Sequence, residues 1–318
     1  MNSNIKYHLA VIILNYYGLH DTLECLHSIF QSKTANFTYD VVIVNEEDDD
    51  RKENQSNEIK KAYPNVHSIE SKNLGFSGAN NLGAKYAFES LHADGVIFLN
   101  NDTRVEENSI QNIGKWSIQH QNEICVASPK IYFEKGYEFH KETYKKDEIG
   151  RVIWYAGGNI DKKNVFGWHR NVDEIDRGQC DDEEETDFAT GCCMVVSKKT
   201  WEVVGSWNTS YFMYLEDLEY CERVRRKKGS VWYVPSAVIW HKNAGSTGGS
   251  GSRMHAYYQT RNRFMYGLRY ASFRTKLALL RELFSLLGSR DVTLRSSAFD
   301  VLIHRYGKRQ EFHAKRGR

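Results

Sequence analysis

Residues 8–15, HLAVIILN, form an unbroken apolar run of the length and composition of a strand buried on both faces. Asp21 then caps a helix whose inner face is Leu23, Leu26, Ile29 and Phe30. Tyr39 to Val44 predicts a second buried strand, ending in the acidic turn Asn45, Glu46, Glu47, Asp48, Asp49, Asp50. A polar helix from about Lys52 to Lys61 and a short strand from Asn65 to Glu70 follow. NLGFSGANNLGAKYAF (73–88) begins as a glycine-rich loop and becomes a helix. Gly95 to Leu99 is a fourth strand, ending in Asn100, Asn101 and Asp102; a helix near Asn108 to His120 and a strand near Ile124 to Pro129 complete the alternation. This pattern predicts an α/β fold with a mostly parallel, doubly wound sheet and helices on both faces. Ligands of such sheets bind beyond the carboxyl ends of the strands. Asn15, Asn45 to Asp48 and Asn100 to Asp102 are therefore expected along one edge.

The pattern weakens from Gly136 to Glu185. WYAGGNIDKKNVFGW reads as a hairpin turning near Asp161 to Asn164, and the acidic run Asp181 to Glu185 as a solvated loop. DFATGCCMVVSKKTWEVVG (187–205) restores order as a buried segment followed by a short helix. Val231 to Val234, Pro235 and the apolar run ending at His241 read as a hairpin-like return. The stretch KNAGSTGGSGS after His241 has the composition of a mobile lid or of a plain surface loop. Two amphipathic helices close the chain. One shows Phe273, Leu277, Leu280, Phe284 and Leu287 on a single face; the other shows Phe299, Leu302, Ile303 and Tyr306. Such stripes serve either core packing or a membrane surface.

Composition narrows the class. Aromatic residues make up 13% of the 318, as in a globular protein with a ring-lined cleft. Neither a signal peptide nor a membrane-spanning run is legible, so a cytoplasmic protein is expected. The six cysteines contain no C-x-x-C pair and read as reduced and structural. A net charge of +2 conceals an uneven distribution: from Arg253 onward fifteen Lys and Arg face four Asp and Glu, a tail of +11 on a body of −9. A basic tail of this kind seeks a polyanion, such as an anionic membrane surface or a diphosphate. The acidic body and the missing recognition motif argue against nucleic acid.

Chemistry concentrates in YFMYLEDLEYCERVRRKKGSVWYVPSAVIWHKNAGST (211–247). Aromatic residues lead into Glu216, Asp217 and Glu219 in the first turn of a helix that stops at Gly229. Acids at that position suit the helix dipole in any protein. A carboxylate held between rings beside a cleft is also a group that takes a proton from a hydroxyl. Upstream, Asp102 stands at a strand end where carboxylate oxygen can hold a divalent ion. The glycine-rich stretch lacks the order of an ATPase loop and does not follow the first strand as a dinucleotide fingerprint does.

Together VIILNYYG (11–18), NLGFSGANNLG (73–83), FLNNDTRV (98–105), ATGCCMVVSK (189–198), YFMYLEDLEYCERVRRKKG (211–229) and WHKNAGST (240–247) resemble a family 2 glycosyltransferase of the GT-A fold, in its rhamnosyltransferase-like branch. The resemblance implies a transferase domain over 1–265, with a nucleotide-sugar half to about 130 and an acceptor half beyond it. Residues 266–318 would form a basic helical extension. It implies Asp217 as catalytic base with Glu216 beside it, and Asp102 and His241 as ligands of Mg²⁺ or Mn²⁺. Asn15, Asn45, Glu46, Asp48, Asn73, Gly75, Asn80, Asn100, Asn101 and Arg261 would line the donor site. Gly191, Cys192, Tyr214 and Arg263 would border the acceptor. Asn100 replaces the first acid of the family's D-x-D motif, and NEEDDD stands where relatives carry an Asp-Asn-x-Ser-type turn.

The implied reaction is an inverting transfer of a sugar to a hydroxyl of a cell-surface glycan or polyprenyl-diphosphate-linked precursor. The expected donor is dTDP-L-rhamnose, with UDP-galactofuranose or a UDP-hexosamine as alternatives. An enzyme peripheral to the inner face of the plasma membrane is implied. A non-catalytic carbohydrate- or polyanion-binding protein is the reading from another class, and the oligomeric state stays open.

Overall fold

The computed structural model describes residues 7–48, 55–243 and 251–310. The chain begins β1 (Tyr7–Asn15), α1 (Leu19–Phe30), β2 (Phe37–Glu47), α2 (Gln55–Ala62), β3 (His67–Lys72), α3 (Gly75–Glu89) and β4 (Gly95–Asn100). It continues through β5 (Thr103–Val105), α4 (Ser109–Gln119), β6 (Cys125–Phe133), β7 (Ile153–Tyr155), β8 (Gly158–Asp161), β9 (Phe166–His169) and β10 (Glu184–Glu185). The remainder is β11 (Cys193–Ser197), α5 (Lys198–Val204), α6 (Glu216–Arg226), β12 (Ser230–His241), α7 (Arg253–Tyr270), α8 (Phe273–Leu287) and α9 (Val292–Leu302). Asp49, Asp50 and most of the glycine-serine segment read as a lid or a surface loop (244–250) lie outside the described residues.

One large sheet runs β10-β12-β6-β11-β4-β1-β2-β3, with β5 pairing β12 and β7 pairing β6. β1 is its buried centre: Leu9 to Ile13 are wholly inaccessible, as a strand flanked by parallel neighbours and covered on both faces must be. Gly83 lets α3 settle on this strand, since a Cβ there would lie 2.5 Å from Ile12 Cγ2. The expectation of a mostly parallel sheet needs one refinement. β11 runs antiparallel to both β4 and β6, dividing the sheet into a parallel β3-β2-β1-β4 half and a parallel β6-β12 pair. A buried apolar run carries no mark of its direction.

Two local expectations change. The glycine-rich segment is helical from Gly75 onward, so it is the opening of α3 itself. The predicted return around Pro235 is a single strand, β12, whose register against β6 slips between Val234 and Val238; proline cannot donate to the ladder, and the bulge absorbs the gap. The acidic run at 181–185 is exposed throughout, as expected of a solvated segment, and is attached at three points: Asp181 accepts from the buried Lys130 ammonium at 2.5 Å, Glu183 from the Trp116 indole at 3.1 Å, and Glu184–Glu185 pair with β12. All six cysteines are buried and unpaired with one another.

The chain after the sheet packs onto it. Leu279 and Leu283 of α8 and Ala298 and Val301 of α9 join the same apolar core as the strands. No helix among the described residues is long and apolar enough to cross a membrane.

Candidate active site

Register brings the polar strand ends together. Asn15 pairs with Asn45 across β1 and β2, and Leu14 with Asn100 across β1 and β4. Asn15 is buried and fully used: Nδ2 donates to Asn45 Oδ1 at 2.9 Å and Gln55 Oε1 at 3.0 Å, while Oδ1 accepts from the Gly18 amide and the Thr22 hydroxyl. Asn45 in turn donates to Ser68 at 2.8 Å. This amide pair is a bracket under the edge. Asn101 also turns inward, donating to Thr22 Oγ1 at 3.0 Å and to the Gly18 carbonyl at 3.4 Å.

Glu46, Asp48 and Asn73 form the rim above the bracket. Glu46 is buried and accepts from the Leu74 amide at the opening of α3; burial pushes its carboxyl up to about 7 against the opposing pull of the Leu74 and Gly75 amides. Asp48 accepts from the Tyr16 hydroxyl at 2.5 Å, from Asn73 Nδ2 at 3.4 Å and from the Lys308 ammonium at 3.0 Å. Burial alone would raise its pKa, but the Tyr16 and Lys308 contacts outweigh it and hold the group below its ordinary value. Gly75 adopts φ +72°, and a Cβ there would lie 2.4 Å from the Phe212 ring. The Phe76 amide donates to the Phe212 carbonyl at 2.9 Å, which joins α3 to the aromatic run before α6. Asn80 is buried on α3, with no partner for its Nδ2 among the described residues.

Asp102 follows the end of β4. Antiparallel pairing of β5 with β12 sets His241 opposite Thr103, and His241 Nε2 lies 3.1 Å from Asp102 Oδ1. The His241 ring is buried edge-on to Trp154, at 4.5 Å between centroids, and its Nδ1 has no hydrogen-bond partner among the described residues. The same strand end is braced by Lys242, which binds Asp21 at 2.6 Å and also Glu24 of α1. That ammonium occupies the exposed His20, Asp21, Glu24 group, which would otherwise resemble a cation cluster.

Across β11 sits the second pair of acids. Tyr214 and Leu215 carry φ values of +67° and +65°, a strained entry that turns α6 so that Glu216 and Asp217 face inward. Asp217 accepts from the Gly191 amide at 3.0 Å and the Leu218 amide at 2.8 Å. Glu216 is buried with Oε2 unpartnered among the described residues. Burial raises both carboxyls. For Glu216 the neighbouring Asp217 adds to it, and for Asp217 the Gly191 and Leu218 amides oppose it. Cys192 follows Gly191 and is linked to the strand before Asp102: the Asn100 amide donates to its carbonyl at 2.9 Å, and its thiol is pushed up mainly by burial, with the charges of Asp102 and Asp217 adding to it. Phe76 closes the wall beside Gly191, packed edge-on to Trp207 at 5.5 Å.

Two arginines stand elsewhere than expected. Arg261 is buried, stacked over Tyr257 and Tyr258, and its guanidinium is spent on the Gly307 carbonyl at 2.7 Å, the Ser210 carbonyl at 3.2 Å and Asn262 Oδ1 at 3.0 Å. Arg263 faces away, binding the Asn164 carbonyl and Glu282. Neither side chain is placed to meet a diphosphate. The helical turn of α7 instead makes Asn262 a site residue that sequence reasoning missed: its Nδ2 donates to the Met213 and Tyr214 carbonyls at 2.7 and 2.8 Å, holding the strained entry to α6. Tyr214 itself sits half-buried at that entry, edge-on to His255. Lys308 was missed too, for nothing in a basic tail marks which lysine folds back.

A doubly wound sheet interrupted by one antiparallel strand, with acids at its carboxyl edge and on the facing helix, defines a GT-A glycosyltransferase. The chain belongs to the glycosyltransferase-like family 2, whose model matches residues 7–267. It is similar to the low-salt glycan biosynthesis hexosyltransferase Agl10 of Haloferax volcanii, with 26% identity over 260 residues, 81% of this chain and 74% of that protein. It is likewise similar to the dTDP-rhamnosyl transferase RfbF of Shigella flexneri, with 25% identity over 295 residues, 90% of this chain and 87% of that one. Among solved structures, GalNAc-T7, determined with UDP, GalNAc and Mn²⁺, shares the fold at a TM-score of 0.64 and 14% identity; the alignment takes in 99% of this chain and 57% of that one. The protein is thus a sugar-transferring enzyme of that family.

Proposed function

We propose that the enzyme transfers L-rhamnose from dTDP-L-rhamnose, with inversion, to a hydroxyl of a cell-surface glycan or lipid-linked precursor at the inner face of an anionic membrane. The observation that carries the reading is the linkage of the two acids' elements at one point: the Gly191 amide donates to Asp217 at 3.0 Å, and the next carbonyl, that of Cys192, accepts from the Asn100 amide two residues before Asp102. Asp217 is the base: its burial raises its affinity for a proton, while two backbone amides fix the carboxylate toward the cleft wall. Glu216, whose hold on a proton is strengthened by burial and by the neighbouring Asp217, carries in its protonated form a hydroxyl to donate to a sugar oxygen. Asn73, Gly75, Asn80 and Asn100, with Glu46 and Asp48, line the donor side, and Gly191, Cys192 and Tyr214 the acceptor side.

Asp102 and His241 fit a divalent cation. A separation of 3.1 Å suits neighbouring ligands of one ion at bond lengths of about 2.1 Å, and the pair combines carboxylate oxygen with imidazole nitrogen. When bound there, Mg²⁺ or Mn²⁺ supplies electrostatic stabilisation of a departing nucleoside diphosphate. Asp217 removes the acceptor hydroxyl proton as that oxygen attacks the anomeric carbon.

The test is release of nucleoside diphosphate from a panel of nucleotide sugars, with Mn²⁺ or with EDTA. Metal-dependent release from dTDP-L-rhamnose is expected, reduced roughly 10²–10⁴-fold in Asp217→Asn while dTDP binding persists. Unchanged turnover in that variant would remove the base assignment; release from a UDP-sugar alone would replace the donor.

A further inference from the structure

The apolar stripe of α8 faces outward. Phe273, Phe284, Leu277 and Leu280 are 75%, 61%, 42% and 36% exposed, whereas the residues that join the core are Leu279 and Leu283 on the adjoining face. α9 repeats the arrangement, burying Ala298 and Val301 and exposing Val292, Phe299 and Leu302. The two stripes meet at a cavity of about 290 Å³ whose walls include Leu287 and Phe299 together with Arg295 and Arg309. Exposed apolar side chains gathered on two packed helices, rather than scattered singly, are the kind of patch that marks a docking site.

Charge chooses the occupant. Arg274, Arg281, Arg290 and Arg295 are exposed around the stripes, and no ion pair among the described residues engages them. The acids of these helices are used internally. Glu282 binds Arg263, Asp291 caps α9, and Asp300 is buried against Tyr257, Arg305 and Arg309. The outward face is therefore apolar in the middle and cationic around it, the pattern of helices that lie in a bilayer interface. With 15 and 11 residues, α8 and α9 are too short to span one. Both lie beyond residue 267, where the family model ends.

We infer that the exposed face of α8 and α9 docks on the surface of an anionic lipid bilayer, with the phenylalanines inserted below the headgroups and the arginines among their phosphates. The inference rests on the transferase reading only for its purpose, which is to hold the cleft beside a lipid-linked acceptor. Arg261 and Asn262 of α7, which packs on both helices, fix the loop that leads to Asp217, so the docked face and the cleft belong to one rigid arrangement.

The test is co-sedimentation of the full chain with phosphatidylcholine vesicles, with and without phosphatidylglycerol. Binding at least about tenfold tighter to the anionic vesicles, weakening as salt rises, is expected. Phe284→Ser combined with Phe299→Ser, and separately Arg281→Gln with Arg295→Gln, should each lower it about tenfold, with melting temperature and nucleoside diphosphate release unchanged. Equal binding to neutral vesicles, or serine variants that sediment as wild type does, overturns the inference. A concentration-dependent dimer seen by light scattering and lost in the serine variants also overturns it, assigning the face to a second copy. Because sugar transfer is followed by nucleotide release in solution, failure of the donor assay with intact sedimentation would sink the catalytic reading alone.

Discussion

The Gly191 amide donates to Asp217 Oδ2 at 3.0 Å, and one residue further on the Cys192 carbonyl accepts the Asn100 amide at 2.9 Å. Two consecutive residues before β11 thus tie the proposed base to the strand that delivers Asp102. The antiparallel β11 is what makes this economical, because its entry meets the carboxyl end of β4.

Removal of either side of the Asp102–His241 pair should weaken Mn²⁺. In the presence of dTDP, Asp102→Ala and His241→Ala are each expected to bind the ion at least about tenfold more weakly, read by electron paramagnetic resonance of free Mn²⁺. His241→Ala also leaves space beside the Trp154 ring, so its melting temperature should fall more than that of Asp102→Ala. Equal Mn²⁺ affinity in all three proteins would discard the pair as ligands.

Gly75→Ala places a methyl in a left-handed conformation and against the Phe212 ring and carbonyl, at 2.4 and 2.5 Å. The expected loss is about 2 kcal/mol or more, measured by urea denaturation, with a raised donor KM because α3 opens at the donor rim. A variant as stable as wild type would mean that Phe212 moves aside at no cost.

How much of this was legible follows from what kind of signal each residue leaves. β1 and β2 announce themselves as apolar runs, and the polar residues that end them fall on one edge by register. The helix carrying Asp217 was visible from its acidic first turn and its glycine stop. Direction and facing left no such mark. Arg261 and Arg263 look alike in sequence, yet about 200° of helical turn sends one into the core and the other toward Glu282. Likewise α8 is apolar on two sides, and only packing against α7 decides that Leu279 faces inward and Phe273 outward.

Glu46 gives a pH signature. Its carboxyl rises from an ordinary 4.5 to about 7 through burial, so the folded state holds a proton that the unfolded chain has released. Below pH 4.5 the group costs nothing; stability then falls as pH rises to 7, and the full penalty persists above it. Glu46→Gln keeps an oxygen to accept from the Leu74 amide and removes the charge. It should exceed wild type in stability by up to about 3 kcal/mol at pH 8 and match it near pH 4.5, in paired thermal melts. An advantage that is constant with pH would assign the gain to something other than ionisation.

Lys308 links the C-terminal segment to the donor rim. Its ammonium lies 3.0 Å from Asp48, and the segment that carries it is anchored on both sides, by the Gly307 amide on the Ser210 carbonyl and the Arg309 amide on the Tyr258 hydroxyl. Both charges are partly exposed, so the pair itself adds under about 1 kcal/mol to folding. Its weight falls on the ligand. In the proposed reading the nucleoside diphosphate, an anion, approaches Glu46 and Asp48, and loss of the facing cation leaves that rim more negative. Lys308→Met is therefore expected to raise donor KM about threefold to tenfold with kcat unchanged, while Lys308→Arg stays near wild type. In an Asp48→Asn background the same methionine should do less, since the partner charge is already gone. A KM that is unchanged in Lys308→Met, or raised equally in Lys308→Arg, would reduce the contact to a fastening of the chain end.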